Sequence, residues 1–246
     1  MNADFPAFEI SFAFQPIVDI AAGKLFAYEA LVRGPLGEPA SAVFASIGPA
    51  QLYIFDRYAR IRAIALAASL GLDVSLSLNF LPKSLDTLPD AVSSTIDAAH
   101  SASIPLQRIF LEVTENEIIH NPVRFASMMN VYRAQGLRFA IDDFGAGYSG
   151  LNLLADFQPD IVKLDIQLVR DIDCHGPRQA IVRAIIQACD DLGIDVLAEG
   201  VESEAEQRWF KRNGVRLFQG FFFARPAFEA LLQPVLPGSN VALPLR

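Results

Sequence analysis

Cysteine is scarce in this chain: Cys174 and Cys189 are the only two among 246 residues. That excludes a disulfide scaffold and a thiolate metal cluster. Cys189 falls at helical spacing from Ile181 and Ile185 and reads as a reduced core thiol. Cys174 sits in a polar loop and is assigned no role. Histidine is nearly as rare, and His100, His120 and His175 do not pair at metal-ligand spacing. Cations are outnumbered, 20 Lys and Arg against 28 Asp and Glu, for a formal net charge of −8. The deficit argues against duplex nucleic acid or an anionic membrane as partner, while leaving room for a small nucleotide held by metals and one or two arginines. The start, Met1-Asn2-Ala3-Asp4, has neither the basic residues nor the apolar run of a secretory leader. No stretch reaches the length of a membrane span, and the alanine-rich run near Ile64–Leu72 is flanked by Arg62 and Asp73. A soluble cytoplasmic protein is expected. With no linker, composition shift, repeat or low-complexity segment, residues 1–246 read as one domain, its core at about 10–233 and a peripheral tail at 234–246.

Apolar residues are abundant instead, at 52%, enough for a sizeable core. Ile10–Ile20 and Leu25–Arg33 read as strands joined by a tight turn at Ala21-Ala22-Gly23-Lys24, hence a hairpin. A helical region follows from Ser41 to Leu70, broken near Gly48-Pro49, with Ile54, Tyr58, Ile61, Ala65 and Ala68 as its apolar stripe. Strand Val74–Phe80 comes next, then a helix running to His100 punctuated by Pro82 and Pro89. Strands are expected at Arg108–Glu115, Leu137–Asp143, Ile161–Asp165, Asp195–Val201 and Arg216–Phe223. Helices are expected at Val123–Gln135, Gly150–Phe157, Arg178–Leu192, Glu204–Asn213 and Ala227–Leu232. Eight strands alternating with helices predict an α/β fold, a closed (β/α)8 barrel, and the opening hairpin predicts at least one strand running against the others.

Such barrels place their chemistry at the carboxyl ends of the strands. Glu29, Asn79, Glu112, Asp142 with Asp143, Lys163 with Asp165, Glu199 and Gln219 all gather there. Asp142 and Asp143 are adjacent carboxylates ending an apolar strand, and ionised groups so placed need an offsetting charge. Carboxylates plus one amide oxygen suit a hard divalent cation, Mg2+ or Mn2+ with Ca2+ as competitor, and their surplus suggests two ions. Two such ions suit phosphoester hydrolysis, with Lys163 placed to orient water or stabilise charge. Glu29 and Arg33, on one face of their strand, suggest a polar pocket. Each residue also has a plainer reading. Strand-end carboxylates cap helices, Lys163 also reads as the partner of Asp165, Gln219 and Asn79 also read as satisfied core amides, and Phe221-Phe222-Phe223 reads as barrel packing rather than a base-stacking platform.

Glu29-Ala30-Leu31-Val32-Arg33-Gly34 resembles the signature of the EAL-domain cyclic-di-GMP phosphodiesterases. So do Gln15-Pro16-Ile17, Leu78-Asn79, Glu112-Val113-Thr114-Glu115, Asp142-Asp143-Phe144-Gly145, Val162-Lys163-Leu164-Asp165, Ala198-Glu199-Gly200-Val201-Glu202 and Gln219-Gly220-Phe221, in order from about residue 12 to Pro226. The resemblance implies a TIM-like barrel with an antiparallel first strand and hydrolysis of cyclic-di-GMP to linear pGpG. It implies metal ligation by Glu29, Asn79, Glu112, Asp142 and Asp143, with Asp142 bridging the two ions. It makes Lys163 the contact to the nucleophilic water, Glu199 an orienter of water or metal, Glu115 a brace of the glycine loop and Gln219 a support. Leu31 and Arg33, with Gln15 and Asp165, would touch substrate. Ca2+ should inhibit, and a homodimer is expected through elements near the glycine loop; any regulatory protein partner is unidentified. The loop departs from the family's Asp-Phe-Gly-Thr-Gly-Tyr-Ser-Ser at Ala146 and Gly150, which bears on loop stiffness more than on the metal ligands. A catalytically silent cyclic-di-GMP receptor acting through a protein partner is the rival reading. Retention of all the acidic ligands favours the enzyme.

Overall fold

The computed structural model describes residues 8–114, 122–146 and 150–236. Strand β1 (Ser11–Asp19) turns into β2 (Lys24–Arg33), and the two pair antiparallel along their whole length. The chain then alternates: α1 (Ala40–Ala45), α2 (Leu52–Ser69), β3 (Ser75–Asn79), α3 (Ser93–Ser101), β4 (Ile109–Thr114), α4 (Pro122–Arg133), β5 (Arg138–Phe144), α5 (Gly150–Asp156), β6 (Ile161–Leu164), α6 (Ile166–Val169), α7 (Gly176–Leu192), β7 (Asp195–Ala198), α8 (Glu204–Arg212) and β8 (Leu217–Phe218). Strands β2 to β8 pair in parallel, each with the next, and β1 closes the barrel antiparallel to both β2 and β8. This is the TIM-like barrel with a reversed first strand that the sequence predicts.

Side chains along a strand alternate between faces, so residues two apart share the lumen. Ile17, Ala27, Phe110, Ala140, Ile161, Leu197 and Leu217 form one buried apolar layer inside the barrel. Two positions from each, toward the mouth, stand Gln15, Glu29, Glu112, Asp142, Lys163, Glu199 and Gln219. The barrel therefore has an apolar lower plug and a polar layer stacked directly upon it. At the opposite end, Arg216 is pinched between Asp19 and Asp195 and lies over the Phe26 ring. The larger core fills the space between the outer wall and the helices, from Phe12 and Phe14 round to Phe210 and Phe223.

Three details differ from the sequence expectation. Helix α2 buries Phe55, Asp56, Arg60, Ala63, Ile64 and Ala67; the expected stripe is turned aside, and Ile61, Ala65 and Ala68 line a groove shared with α3. Residues Ala227–Phe228 form a strand, β9, and not a helix, pairing with Ala13 and Phe14 of β1. The reason is that β8 reaches only Val18 and Asp19 and leaves that part of β1 without a neighbour. Of the phenylalanine run, only Phe223 is fully buried, while Phe221 is exposed. After β9, Tyr28 Oη donates to the Leu232 carbonyl (3.0 Å) and Val235 N to that of Phe223 (3.0 Å); the rest of the tail, from 237, lies outside the described residues.

Among the described residues no helix is long and apolar enough to cross a membrane. Cys189 and Ile185 are buried as expected, although Ile181 is exposed, and burial pushes the Cys189 thiol up to about 11. Cys174 is exposed. A thiol reagent at neutral pH should label Cys174 in the folded protein and Cys189 only after urea unfolding; prompt double labelling of the native chain would contradict the packing described.

Candidate active site

At the centre of the polar layer stands Lys163, 1% exposed. Its Nζ lies 2.8 Å from Glu112 Oε1, 2.8 Å from Glu199 Oε1, 3.0 Å from Asp142 Oδ1 and 3.7 Å from Glu29 Oε2. Lys163 is therefore not paired with Asp165. That residue caps α6, its Oδ1 accepting from Gln167 N (2.8 Å), and it lines the mouth. Ser77 Oγ donates to Glu112 Oε1 (2.6 Å), and Gln219 Nε2 donates to Glu29 Oε2 (2.7 Å) and to Gln15 Oε1 (3.3 Å). Gln15 Nε2 donates in turn to the Ala224 carbonyl (3.2 Å).

One ammonium against four carboxylates leaves a surplus of negative charge in a desolvated space. Burial, opposed by Lys163 and reinforced by Glu29 and Asp142, pushes the Glu112 carboxyl up to about 8. Burial likewise drives Glu199 well above the usual carboxylate range despite Lys163. Desolvation would lower Lys163, but the four carboxylates outweigh it and hold the ammonium well above its ordinary value. Asp143 is raised by burial and by the Asp142 and Asp165 charges.

The adjacent carboxylates of β5 share this mouth because the strand is irregular. Regular alternation would send Asp142 and Asp143 to opposite faces. The β5–β6 register shifts between Ile141 and Phe144, and Asp143 takes φ +54°, a left-handed conformation that short acidic side chains tolerate. Oxygens of Asp142, Asp143 and Glu199 thereby come within 4.8 Å of one another. Glu112 Oε2, Asp142 Oδ1 and Gln219 Oε1 are buried without a hydrogen-bond partner among the described residues; the Lys163–Asp142 contact is at ion-pair distance but off hydrogen-bond geometry. Orphaned oxygens, clustered carboxylates and a charge surplus fit a hard divalent cation.

Gln15, Glu29, Asp143, Asp165, Glu199 and Gln219 open onto one cavity of about 290 Å3, whose wall also includes Phe221. Its rim depends on Gly220: a Cβ there would lie 2.1 Å from the Val201 carbonyl oxygen, so only glycine lets the two loops meet. This approach turns the chain out of β8 and presents Phe221 at the mouth, with the Arg225 guanidinium 4.1 Å above its ring. Leu31, Arg33 and Asn79 line a neighbouring cavity of about 270 Å3 between the barrel wall and α2. Glu29 and Arg33 thus do not share one polar pocket. The Arg33 guanidinium donates to the Val32 carbonyl (2.8 Å) and pairs with no carboxylate among the described residues. Asn79 is exposed and stands in register beside Glu112. Asp56 and Arg60 form the floor of this second cavity as a buried ion pair, Arg60 also donating to Thr95 Oγ1 (2.9 Å). Glu115 and the loop 147–149, with any dimer contact there, lie outside the described residues. Sequence reasoning left Ser77 without a role, although its period-two spacing to Asn79 was visible. It missed the aromatic–arginine rim, which depends on the turn at Gly220.

The EAL domain family model matches residues 3–226. Curated relatives include the blue light- and temperature-regulated antirepressor BluF of Escherichia coli, 37% identical over 92% of this chain and 56% of that protein. The cyclic di-GMP phosphodiesterase RocR of Pseudomonas aeruginosa is 29% identical over 93% of this chain and 59% of that protein. The chain thus spans little more than half the length of these relatives. Among solved structures, a standalone EAL protein of Vibrio cholerae in its c-di-GMP-bound form superposes with a TM-score of 0.88 at 44% identity, covering 93% of this chain and 97% of that one. The manganese and cyclic-diGMP complex of Klebsiella pneumoniae BlrP1 gives 0.88 at 42%, covering 96% and 62%.

Removing the central cation should leave the carboxylates to repel one another. Lys163→Met should cost on the order of 3 kcal/mol in EDTA, read from the urea midpoint, and added Mn2+ should raise the variant's midpoint more than that of the wild type. An unchanged midpoint in EDTA would refute the charge balance described.

Proposed function

The chain belongs to the EAL domain family, and on that premise we propose that it is a metal-dependent phosphodiesterase hydrolysing cyclic-di-GMP to linear pGpG. The observation that carries the reading is the uninterrupted polar layer: Glu29, Glu112, Asp142, Asp143 and Glu199 are all present around Lys163 at the barrel mouth. Glu29, Asn79, Glu112, Asp142 and Asp143 would hold two divalent ions, with Glu199 orienting ion or water. Bound there, the ions would acidify water and offset charge on the phosphate oxygens.

The rest is assigned to the chain's own groups. Arg33 anchors a phosphate from the second cavity, where Leu31 meets base or sugar. Gln15 and Asp165 meet the substrate on the side of the first cavity. Lys163, within ion-pair distance of Glu112, Glu199, Asp142 and Glu29, is assigned to contact the attacking water and to stabilise charge developing on phosphate oxygen. The oxygen of water bonds to phosphorus and the bond to the 3′ oxygen breaks; one water proton ends on that oxygen as the 3′ hydroxyl, the other is released to solvent from the new 5′ phosphate, and the linear dinucleotide leaves. Gln219 keeps Glu29 oriented, and Glu115 is assigned to the glycine loop. Mg2+ or Mn2+ is the working ion, in a cytoplasmic protein that pairs with a second copy of itself.

A second reading has one observation behind it: BluF, similar over nearly the whole chain, is named an antirepressor. In that case the barrel would bind the dinucleotide, or a partner protein, without turnover. Incubation with cyclic-di-GMP and Mn2+, followed by chromatography, should yield pGpG; measurable binding without product would favour the receptor. Asp142→Asn and Glu29→Ala should each abolish Mn2+-dependent turnover with the melting transition retained, and wild-type rates in either would defeat the assignment. Ca2+ in place of Mn2+ should support binding but not hydrolysis, because its coordination is larger and looser; equal rates with both ions would contradict this.

A further inference from the structure

Glu206 lies on α8 and is 2% exposed. Part of its role is ordinary: with Ser203 it forms a capping box, Ser203 Oγ accepting from Glu206 N (3.2 Å) and Glu206 Oε2 accepting from Ser203 N (2.9 Å). Two further bonds exceed what a cap needs. The same Oε2 accepts from Glu202 N (2.9 Å), and Oε1 accepts from Asp171 N (3.1 Å) on a different strand–helix connection. Asp171 reaches this donor position in a left-handed conformation, φ +53°. One buried carboxylate thus joins the segment after β6, which carries Asp165 and Ile166, to the segment after β7, which carries Glu199 and Glu202.

Both segments wall the acidic cavity. Above the tie, Arg170 and Glu202 meet in a two-pronged ion pair, Nη1 to Oε2 at 2.5 Å and Nη2 to Oε1 at 2.8 Å. Each is the chain neighbour of a residue whose amide takes part in the Glu206 arrangement, or is itself that residue. From the far side, Arg178 of α7 donates to the Arg170 carbonyl, and Gln179 Nε2 donates to that of Ile172 (2.8 Å). The 170–172 segment is therefore fixed to α7 on one side and to Glu206 on the other. Glu199, three residues ahead of Glu202, contributes an oxygen to the carboxylate cluster.

We infer that Glu206 is a positioning residue for the reaction site. Its carboxylate locks the two wall segments in register, so that Glu199 meets Asp142 and Asp143 at ion-binding distance and the mouth keeps its width. The inference rests on the phosphodiesterase reading for its kinetic consequence, whereas its effect on ion binding depends on the carboxylate cluster alone.

Two substitutions separate the tie from the cap. Glu206→Gln keeps one acceptor oxygen for the helix end, but its amide nitrogen cannot accept from Asp171. Ser203→Ala removes the serine half of the cap and leaves the tie. In Glu206→Gln, Mn2+ affinity by calorimetry should fall about tenfold, and KM for cyclic-di-GMP should rise by a similar factor with kcat nearly unchanged. Ser203→Ala should lower the melting temperature at least as much and leave ion affinity and KM unchanged. If the two variants behave alike in Mn2+ affinity, Glu206 is a cap and nothing more. If wild type neither binds nor turns over cyclic-di-GMP, the functional reading fails, and the Mn2+ comparison still decides the inference. Should Glu206→Gln not fold, hydrogen exchange of the wild type serves: the Asp171 amide should be protected to the same degree as that of Glu202, and rapid exchange at Asp171 would overturn the tie.

Discussion

An ammonium buried among four carboxylates is the constraint around which this barrel is arranged. Each partner of Lys163 comes from a different place: Glu29 from β2, Glu112 from β4, Asp142 from β5 and Glu199 from the end of β7. Charged groups removed from water are tolerated only when geometry and hydrogen bonds compensate. The compensation here is spread across the lumen, so the register of those four elements relative to β6 is an electrostatic matter as well as one of backbone pairing. Ser77 and Gln219 complete it by donating to Glu112 and Glu29. The residual excess of negative charge makes the same cluster receptive to a divalent ion. Stability without an ion and affinity for one are therefore opposed by construction.

The apolar plug beneath performs the complementary task. Every polar residue of the layer is two positions from a buried apolar one. The plug closes the lumen from below, so solvent and ligands reach the carboxylates from the mouth. A desolvated floor strengthens each charge interaction above it. The loops at the mouth then decide shape: Gly220 permits the close loop contact, Asp143 bends β5, and the α2 pair Asp56–Arg60 floors the second cavity.

Much of this was legible in the sequence because period-two alternation writes the polar layer directly into it. Glu29 after Ala27, Lys163 after Ile161 and Glu199 after Leu197 are the same pattern; the alternation of strands with helices points to the barrel, and polar residues at the strand ends point to the carboxylate cluster. What was not legible depended on departures from that periodicity. Asp142 and Asp143 were recognised as a pair, but alternation alone sends them to opposite faces, and the register shift is a tertiary fact. Glu29 and Arg33 were rightly put on one strand face, yet they serve separate cavities because α2 closes in beyond Ala30. Ala227–Leu232 has helix-forming residues, but the open stretch of β1 takes Ala227 and Phe228 as a strand. Phe221 looked like its neighbour Phe223, and only the turn at Gly220 separates an exposed ring from a buried one. Helix α2 shows the same limit: two apolar stripes were available, and contact with the sheet rather than hydrophobicity selected the one carrying Asp56 and Arg60.

The reversed first strand has a geometric consequence. In an all-parallel barrel the chain enters at the face opposite the mouth. Here Ser11 pairs with Arg33, at the mouth end of β2, and Asp19 pairs with Lys24 at the far end. The polypeptide therefore enters this barrel beside the carboxylates and descends away from them. Residues 8–11 thus stand on the same side of the barrel as the site, within a few residues of Gln15, and not across the lumen from it.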